Sequence, residues 1–320
     1  MTEGGGLGIG IDVGGTKVLG VVADGTGKVL EELRVVTPVD DAHRMVASMA
    51  DLARELRARH ADVRGIGAGI AGLVTLDGVV RVSPNLPSID ELPVRAMLEE
   101  AVDLPVRIDN DATCALWGEH VCGAAEGARD VALVALGTGV GGAFVLDGSL
   151  VRGANGFAGE VGHMVVARDG IPCACGRRGC WERYASGTGL GRMGRELAEA
   201  GGAPRLVALA GGDAAQVRGE HVTTAASEGD DDALGVVDQF ADWVAIGLVN
   251  LTQLLDVARF VIGGGLAASG AVLLEPMRVA YDRRAVAPGH RPRVEIVGAA
   301  LGEHAGAVGA ALLALGDTGQ

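Results

Sequence analysis

Residues Gly153–Glu182 read GANGFAGEVGHMVVARDGIPCACGRRGCWE and hold three of the chain's five cysteines. These three, Cys173, Cys175 and Cys180, follow a C-x-C-x4-C spacing, and His163 lies ten positions before the first. Three thiolates and one imidazole make the closed tetrahedral ligand set of a structural zinc ion. Two glycines between the last two cysteines permit the tight backbone turn that brings the third thiol back to the others. The stretch therefore predicts a zinc (Zn²⁺) site.

The alternative for this cluster is a set of ordinary buried thiols with a histidine nearby. Thiols packed this densely in a chain expected in a reducing compartment favour metal binding over that alternative. Zinc does not account for Glu160 and Glu182, which flank the cluster. A metal ion bound at both ends of the loop would hold the Glu160 and Glu182 carboxylates so that both face one polar ligand. His163 can give one ring nitrogen to zinc and offer the other to that ligand.

The combination G-E-x-G-H followed by C-x-C-G-x-x-G-C-x-E resembles the ROK family of bacterial sugar kinases and repressors. The resemblance implies that the histidine and the three cysteines hold zinc, and that a hexose is bound by both glutamates and the histidine. Every position of the pattern is present in this chain, as Gly159, Glu160, Gly162, His163, Cys173, Cys175, Gly176, Gly179, Cys180 and Glu182.

The overall composition limits the classes of function. The chain has 320 residues, enough for two domains, and a formal net charge of −14. Such a charge repels a phosphate backbone, so nucleic acid is not an expected partner. No apolar run reaches the roughly eighteen residues that a membrane span needs, and the first residues lack the pattern of a secretory signal. We therefore expect no membrane partner and a cytoplasmic location.

Alternation of apolar runs and turn residues predicts a mixed α/β chain with an internal repeat. A shift of 123 positions places Gly14 on Gly137 and the Asp24-Gly25 turn on Asp147-Gly148, which suggests a duplicated domain. Strands are expected over 7–12, 18–23, 28–36, 63–70, 79–82, 106–108, 259–262 and 294–297. Helices are expected over 40–59, 92–101, 184–200, 236–255 and 303–314.

The resemblance supplies the architecture that these elements would form. It implies an actin-like, hexokinase-like fold of two ribonuclease-H-like domains with an interdomain cleft. On that basis residues 1–110 plus 303–320 form a smaller α/β domain with the first phosphate loop. Residues 111–302 form a larger domain with the catalytic aspartate, the second phosphate loop, the zinc and sugar site and the adenosine loop. Apolar helices in the larger domain lead us to expect a homodimer or homotetramer.

Two glycine-rich hairpin tips, DVGGTK at 12–17 and LGTGVGG at 136–142, are candidate phosphate loops. Their glycines expose backbone N–H groups and their threonines add hydroxyl donors, although a plain hairpin turn is the alternative for each. Neither is a Walker A loop. The resemblance implies that both bind ATP, that Asp12 helps to hold magnesium (Mg²⁺), and that a third glycine turn lies under the adenosine. The implied nucleotide contacts are Asp12, Gly14, Gly15, Thr16, Lys17, Gly137, Thr138, Gly139, Gly264 and Gly265.

The dipeptide Asn110-Asp111 lies where a predicted strand passes into a helix, so a simple N-cap is one interpretation of Asp111. The resemblance implies instead that Asn110 contacts sugar and that Asp111 is the base for the hydroxyl that receives phosphate. Thr113 stands where the family's D-A-N-A-A run has its asparagine, which leaves the role of that asparagine open. Asn85, in S-P-N-L-P, is a further candidate sugar contact.

Together these features predict an ATP:hexose 6-phosphotransferase. Asp111 would accept the proton of the sugar hydroxyl, while magnesium, the two glycine loops and Lys17 would offset phosphoryl charge. Glucose is the expected sugar because the whole chain, including the W-E-R-Y-A-S-G run at 181–187, resembles actinobacterial ROK glucokinases. Fructokinase, N-acetylmannosamine or N-acetylglucosamine kinase, and polyphosphate as donor are the alternatives. A ROK repressor would place a winged-helix domain before Asp12, for which we expect no room, and the negative charge opposes DNA binding.

Overall fold

The computed structural model describes residues 6–316. Its strands are β1 (Leu7–Val13), β2 (Lys17–Asp24), β3 (Val29–Val36), β4 (Val63–Ile70), β5 (Leu73–Val74), β6 (Val80–Val82), β7 (Asp90–Leu92), β8 (Val106–Asn110), β9 (Val131–Leu136), β10 (Val140–Leu146), β11 (Ser149–Leu150), β12 (Arg259–Gly263) and β13 (Glu295–Gly298). Its helices are α1 (Ala42–Arg59), α2 (Val94–Val102), α3 (Asp111–Cys122), α4 (Glu182–Ala185), α5 (Gly187–Glu199), α6 (Pro204–Leu209), α7 (Gly219–Ser227), α8 (Asp231–Leu255), α9 (Ala271–Arg284) and α10 (Ala305–Leu315).

The first sheet has the strand order β3-β2-β1-β4-β8. Strands β1, β2 and β3 are joined by antiparallel hairpins, as predicted, whereas β4 and β8 run parallel to β1. One face of this sheet packs on α1 and α2 through buried aliphatic side chains such as Ile9, Met45 and Leu98. Because parallel strands end at the same edge, the carboxyl ends of β1, β4 and β8 present their loops together.

The second sheet repeats this arrangement. Its order is β11-β10-β9-β12-β13, in which β12 runs parallel to both β9 and β13. Strand β9 therefore corresponds to β1, β12 to β4, and β13 to β8. The repeat inferred from the 123-residue shift is thus present as two sheets of the same topology. A smaller antiparallel sheet, β5-β6-β7, accompanies them.

The chain divides into two compact units. One comprises the described residues of Met1–Arg129, Ala143–Gly159 and the described residues of Ala300–Gln320, and the other comprises Asp130–Gly142 and Glu160–Ala299. The first unit contains the N-D dipeptide as well as the first hairpin tip. The second contains the zinc-type cluster and the second hairpin tip.

Glycines allow α10 to lie directly on the first sheet. A Cβ on Gly10 of β1 would overlap the carbonyl oxygen of Ala307, and one on Gly67 of β4 would overlap that of Ala310. A Cβ on Gly309 of α10 would likewise overlap the carbonyl oxygen of Cys114 in α3. Substitution at these glycines would force the helix off the sheet, because backbone atoms cannot move aside as a flexible side chain can.

Several predicted boundaries were wrong for local reasons. Strand β7 occupies Asp90–Leu92, so the following helix begins at Val94 after Pro93, which cannot donate a backbone hydrogen bond. The helix expected over 184–200 is divided into α4 and α5 at Ser186, whose side chain accepts from the Gly189 N–H and begins the second helix. Helices α6, α7 and α9 were not predicted.

Helix α8 begins at Asp231 and not at 236, because the Asp230 side chain caps it. By length and composition alone it would also suit a membrane span. Half of the most apolar 18-residue stretch of this helix is buried within the described structure, and the side chains of Phe240 and Leu248 are fully buried. That burial is what a core helix of the second unit requires.

Candidate functional site

The predicted zinc ligands lie together in the second unit. The ligand atoms of His163, Cys173, Cys175 and Cys180 all lie within 4.8 Å of one another. The Cys175 and Cys180 Sγ atoms are 3.5 Å apart, and the Cys173 Sγ is 3.9 Å from the His163 Nδ1. Tetrahedral zinc with Zn–S bonds of about 2.3 Å requires ligand separations of about 3.5–3.8 Å. Soft thiolates with one imidazole in this geometry fit zinc, as the spacing predicted.

The loop that carries the thiols is held by its own backbone. The Cys173 N–H donates to the Arg177 carbonyl at 2.8 Å, and the Gly179 N–H donates to the Ile171 carbonyl at 2.8 Å. Gly179 has a φ of 73°, and a Cβ there would overlap the carbonyl oxygen of Ala167. The backbone N–H of Arg177 lowers the pKa of Cys175 to about 6, which favours the thiolate that metals bind.

The two carboxylates predicted to bind sugar lie beside this cluster. The Glu182 Oε1 is 3.1 Å from the Cys173 Sγ and 3.8 Å from the His163 Nδ1. The Glu160 Oε2 is 3.9 Å from the other ring nitrogen, His163 Nε2. His163 therefore turns Nδ1 toward the thiols and Nε2 toward Glu160. The ring is thus oriented so that one nitrogen can serve the metal, while the proposed second role of the other nitrogen, toward a polar ligand, stays a prediction.

Trp181 fixes the position of Glu182. Its side chain is fully buried, and its indole N–H donates to the carbonyl oxygen of Trp243 at 2.7 Å. Helix α8 accommodates the ring only because Gly247 has no side chain, since a Cβ there would overlap the indole. Glu182 follows immediately and keeps 21% of its side chain exposed. The buried Trp181 ring, packed against α8, therefore holds the Glu182 carboxylate in a fixed position.

The second glycine tip, Gly137–Gly139, joins β9 to β10 in the same unit. The Gly137 carbonyl accepts from the N–H of Gly187, and the Thr138 carbonyl accepts from the Thr188 hydroxyl, both at 2.8 Å. Gly187 and Thr188 form the first turn of α5, which has 13 residues. A helix N-terminus beside a glycine tip favours anions, because the helix dipole places partial positive charge there.

Gly139 has a neighbour that its sequence position does not reveal. A Cβ on Gly139 would lie 2.9 Å from the Glu182 Oε2. The predicted nucleotide tip and a predicted sugar ligand are thus adjacent within this unit. The third predicted tip, Gly264 and Gly265, follows β12 at the edge where β9 also ends. Gly264 has a φ of 77°, and a Cβ there would lie 2.5 Å from the carbonyl oxygen of Leu136.

In the first unit, the tip between β1 and β2 is exposed at Gly15, Thr16 and Lys17. The Thr37 hydroxyl donates to the Gly14 carbonyl at 2.7 Å and holds the tip in place. Asn85 lies beside this tip, because a Cβ on Gly15 would be 3.5 Å from the Asn85 Cβ. Its side chain is exposed.

Lys17 forms an ion pair with Glu303, a partner that was not predicted. Arg34, followed by Lys17, holds the pKa of the Glu303 carboxyl down at about 2, so this carboxylate is ionised at neutral pH. Lys17 would therefore have to exchange Glu303 for a phosphate oxygen in order to act as predicted.

The turn at Asn110-Asp111 joins β8 to α3. Asn110, and not Asp111, is the N-cap, because its Oδ1 accepts from the N–H groups of Ala112 and Thr113. The Asn110 side-chain amide donates to the Gly72 carbonyl at 3.1 Å. Asp111 begins the helix, and the capping alternative for it is thereby removed. Thr113, which replaces the family's asparagine, is buried.

Burial raises the pKa of Asp111. Burial, and next the charge of Asp111, raise the pKa of Asp12 to about 7. Asp12 also lies against the start of α10, where a Cβ on Gly306 would be 2.9 Å from the Asp12 Cγ. A neighbouring carboxylate destabilises the ionised form of Asp12, and a divalent cation would offset this repulsion. Carboxylate oxygens are also the hard ligands that such cations prefer. The residues present thus fit magnesium.

Three residues that support these groups were missed by sequence reasoning. Arg152 forms an ion pair with Asp109 directly before the N-D turn, Glu119 is a fully buried carboxylate in α3, and Gly306 touches Asp12. Their partners lie far away in sequence, so no local spacing pointed to them. A charged residue inside an otherwise apolar helix pattern was the one available signal for Glu119.

The chain is similar to known proteins along nearly its whole length. Residues 8–317 match the ROK family. A glucokinase of Streptomyces coelicolor is 38% identical over 312 residues, covering 97% of this chain and 98% of the relative. A glucokinase of Halalkalibacterium halodurans is 36% identical, covering 94% and 92%. The crystal structure of a ROK family glucokinase from Streptomyces griseus in complex with glucose and AMPPNP is 38% identical. It has a TM-score of 0.86 and covers 97% of this chain and 99% of that chain. With the family matched along nearly its whole length, and with the Cys₃His cluster and its two carboxylates in place, this chain belongs to the ROK family.

Proposed function

We propose that this chain is an ATP-dependent hexose kinase that converts glucose to glucose 6-phosphate. The observation that carries the proposal is its whole-length similarity to a ROK glucokinase seen with glucose and an ATP analogue. The arrangement of Glu160, His163 and Glu182 beside the thiol cluster supports it, because carboxylates and an imidazole can accept and donate hydrogen bonds to sugar hydroxyls.

Asp111 is the proposed general base. It takes the proton from the hydroxyl on carbon 6 of glucose as that oxygen forms a bond to the γ-phosphorus, and the bond from this phosphorus to the β,γ-bridging oxygen breaks to release ADP. Two observations support this role. Burial raises its pKa and so its basicity, and Asn110 is the N-cap of α3, so Asp111 is not needed to cap this helix, although its Oδ1 also accepts from the Ala112 N–H at 2.9 Å.

The proposed sugar contacts are Glu160, His163 and Glu182, together with Asn110 and Asn85. Zinc would have a positional role. His163, Cys173, Cys175 and Cys180 would hold it and leave no ligand position for a substrate, so it would fix the loop that presents Glu160 and Glu182 and would take no part in phosphoryl transfer.

The proposed phosphate contacts are the backbone N–H groups of the two glycine tips, with Thr16 and Thr138 as hydroxyl donors. Lys17 is proposed to move from Glu303 to the nucleotide, and Gly264 and Gly265 to lie under the adenosine. Asp12 would hold magnesium, which when bound neutralises phosphate charge.

Two further features belong to this proposal. Reduced thiols suit the cytoplasm, where we place the protein. A homodimer or homotetramer is proposed because Leu254 of α8 and Val279 of α9 are 73% and 57% exposed. Sedimentation equilibrium measures the oligomeric state directly.

The test is an ADP-release assay with glucose, fructose, N-acetylglucosamine and N-acetylmannosamine as acceptors, and with ATP or polyphosphate as donor. We expect the highest kcat/KM for glucose with ATP. Asp111→Asn should lower kcat by about a hundredfold or more while glucose still binds. Asp51→Asn, which removes an exposed carboxylate of α1, is the matched control and should be unchanged. Near-normal turnover by Asp111→Asn would remove Asp111 as the base.

A further inference from the structure

Three aspartates of the first unit converge on one face of its sheet. In the strand register, Gly69 of β4 pairs with Asp12 on one side and with Asp109 on the other. Paired residues of neighbouring strands point to the same face, and Gly69 has no side chain to separate them. Asp111 lies over the same glycine, because a Cβ on Gly69 would be 3.3 Å from the Asp111 Cα. Negative charge is therefore concentrated around the proposed base.

Arg152 neutralises one of these carboxylates. Its Nε donates to the Asp109 Oδ2 at 2.7 Å, and the two side chains are only 27% and 12% exposed. Burial raises the pKa of Asp109, whereas Arg152 acts to lower it. An ion pair with this little exposure is not equivalent to one on the surface, because removal of one partner leaves a buried charge without compensation.

The ion pair connects directly to the N-D turn. The other Asp109 oxygen, Oδ1, accepts from the N–H of Asn110 at 2.9 Å. Asn110 in turn caps α3, the helix that begins at Asp111. A continuous chain of hydrogen bonds thus runs from the Arg152 guanidinium through Asp109 to the turn that presents the base.

The backbone of Arg152 closes the adjoining loop. Its carbonyl accepts from the Ala158 N–H at 3.0 Å, across a segment in which Gly153 and Gly156 have φ values of 75° and 92°. The backbone of Arg152 is therefore held at the base of a constrained loop, and its side chain reaches Asp109 from this fixed position. Lysine could supply the charge but not the fixed planar donor geometry of a guanidinium.

From these contacts we infer that Arg152 is a positioning residue for phosphoryl transfer: through Asp109 it holds the Asn110-Asp111 turn in its reactive position. Arg152 touches neither substrate nor nucleotide in this assignment. The inference rests on the proposed role of Asp111 as base, and it adds a residue that determines where that base lies.

The test compares Arg152→Gln, Arg152→Lys and the double variant Arg152→Gln with Asp109→Asn. We expect Arg152→Gln to lower kcat with glucose by about tenfold or more, because a small displacement of a catalytic group costs that much, while the KM for ATP stays within about twofold. Arg152→Lys should fall between this variant and the wild type. Adding Asp109→Asn should raise kcat again, since the uncompensated charge disappears while the carbonyl oxygen of the new side-chain amide can still accept from the Asn110 N–H.

Hydrogen–deuterium exchange provides a readout that does not depend on activity. Peptides covering 109–114 should exchange faster in Arg152→Gln than in the wild type, and the double variant should restore protection. The control is Arg259→Gln, which removes an Nε–carboxylate pair of similar length, 2.6 Å, with the more exposed Glu295 in the other unit and should change neither readout.

Wild-type kcat and wild-type exchange in Arg152→Gln would overturn the inference. So would a loss of kcat that Asp109→Asn does not relieve, because a purely packing role for Arg152 predicts that result. An inactive wild-type protein would instead count against the proposed function, and the exchange measurement would still decide whether Arg152 holds the turn.

Discussion

Glu119 offers the sharpest test of how the first unit is held together. This residue of α3 is fully buried, and its carboxylate accepts three backbone hydrogen bonds. The Oε2 atom accepts from the Ala124 N–H at 2.7 Å and the Ala300 N–H at 3.0 Å, and the Oε1 atom accepts from the Leu301 N–H at 2.8 Å. One side chain therefore joins the helix that begins at Asp111 to the segment that leads into α10.

The proposed change is Glu119→Gln, which keeps the size of the side chain and removes its charge. An amide has one acceptor oxygen, so at least one of the three N–H groups would face an NH₂ donor in place of an acceptor. Hydrogen bonds to charged groups contribute about 1.5–3 kcal/mol each and neutral ones about 1 kcal/mol. One bond lost and two weakened should lower the free energy of unfolding by about 3 kcal/mol.

Urea unfolding followed by circular dichroism measures this loss, with Glu55→Gln as the control. Glu55 pairs with Arg59 on the exposed face of α1 and keeps 55% of its side chain in solvent, so its replacement should cost less than about 0.5 kcal/mol. Because the Ala300–Leu301 segment precedes Glu303 and Gly306, the KM for ATP should rise as well. If Glu119→Gln matched the control in stability, the three hydrogen bonds would not be holding these segments together.

Three further changes test the remaining assignments. Gly139→Ala should raise KM for glucose as well as for ATP, because its Cβ would lie 2.9 Å from the Glu182 Oε2; a change in the ATP KM alone, measured by steady-state kinetics, would contradict this placement. Purified protein should contain about one zinc per chain by atomic absorption, and Cys175→Ser should lose the metal and glucose affinity together, with ATP affinity much less affected; a zinc-free variant that phosphorylates glucose normally would show the cluster to be incidental. Gly306→Ala should lower kcat by about tenfold or more by displacing the Asp12 carboxylate, whose Cγ would lie 2.9 Å from the new Cβ, and unchanged turnover would mean that Asp12 can shift without consequence.

The parts of the candidate site that the sequence predicted are those whose residues lie close together in the chain. The zinc ligands fall within 163–180, and the glycines between them permit a tight loop, so the local spacing already predicted the cluster. The hairpins of β1, β2 and β3 were likewise predicted, because alternating apolar residues and glycine or aspartate turns are local signals. The sequence repeat at a spacing of 123 residues likewise predicted a duplicated domain, which the structure shows as two sheets of the same topology.

Tertiary structure alone decided which distant residues support those local motifs. Arg152 meets Asp109 across 43 positions and Glu119 meets Leu301 across 182, and no periodicity links either pair. They meet because parallel strands place the ends of β1, β4 and β8 at one edge, and because glycines let α10 lie directly on that sheet. Local sequence thus specified the groups proposed to bind metal and ligands, whereas long-range packing specified the charges and contacts that hold those groups in position.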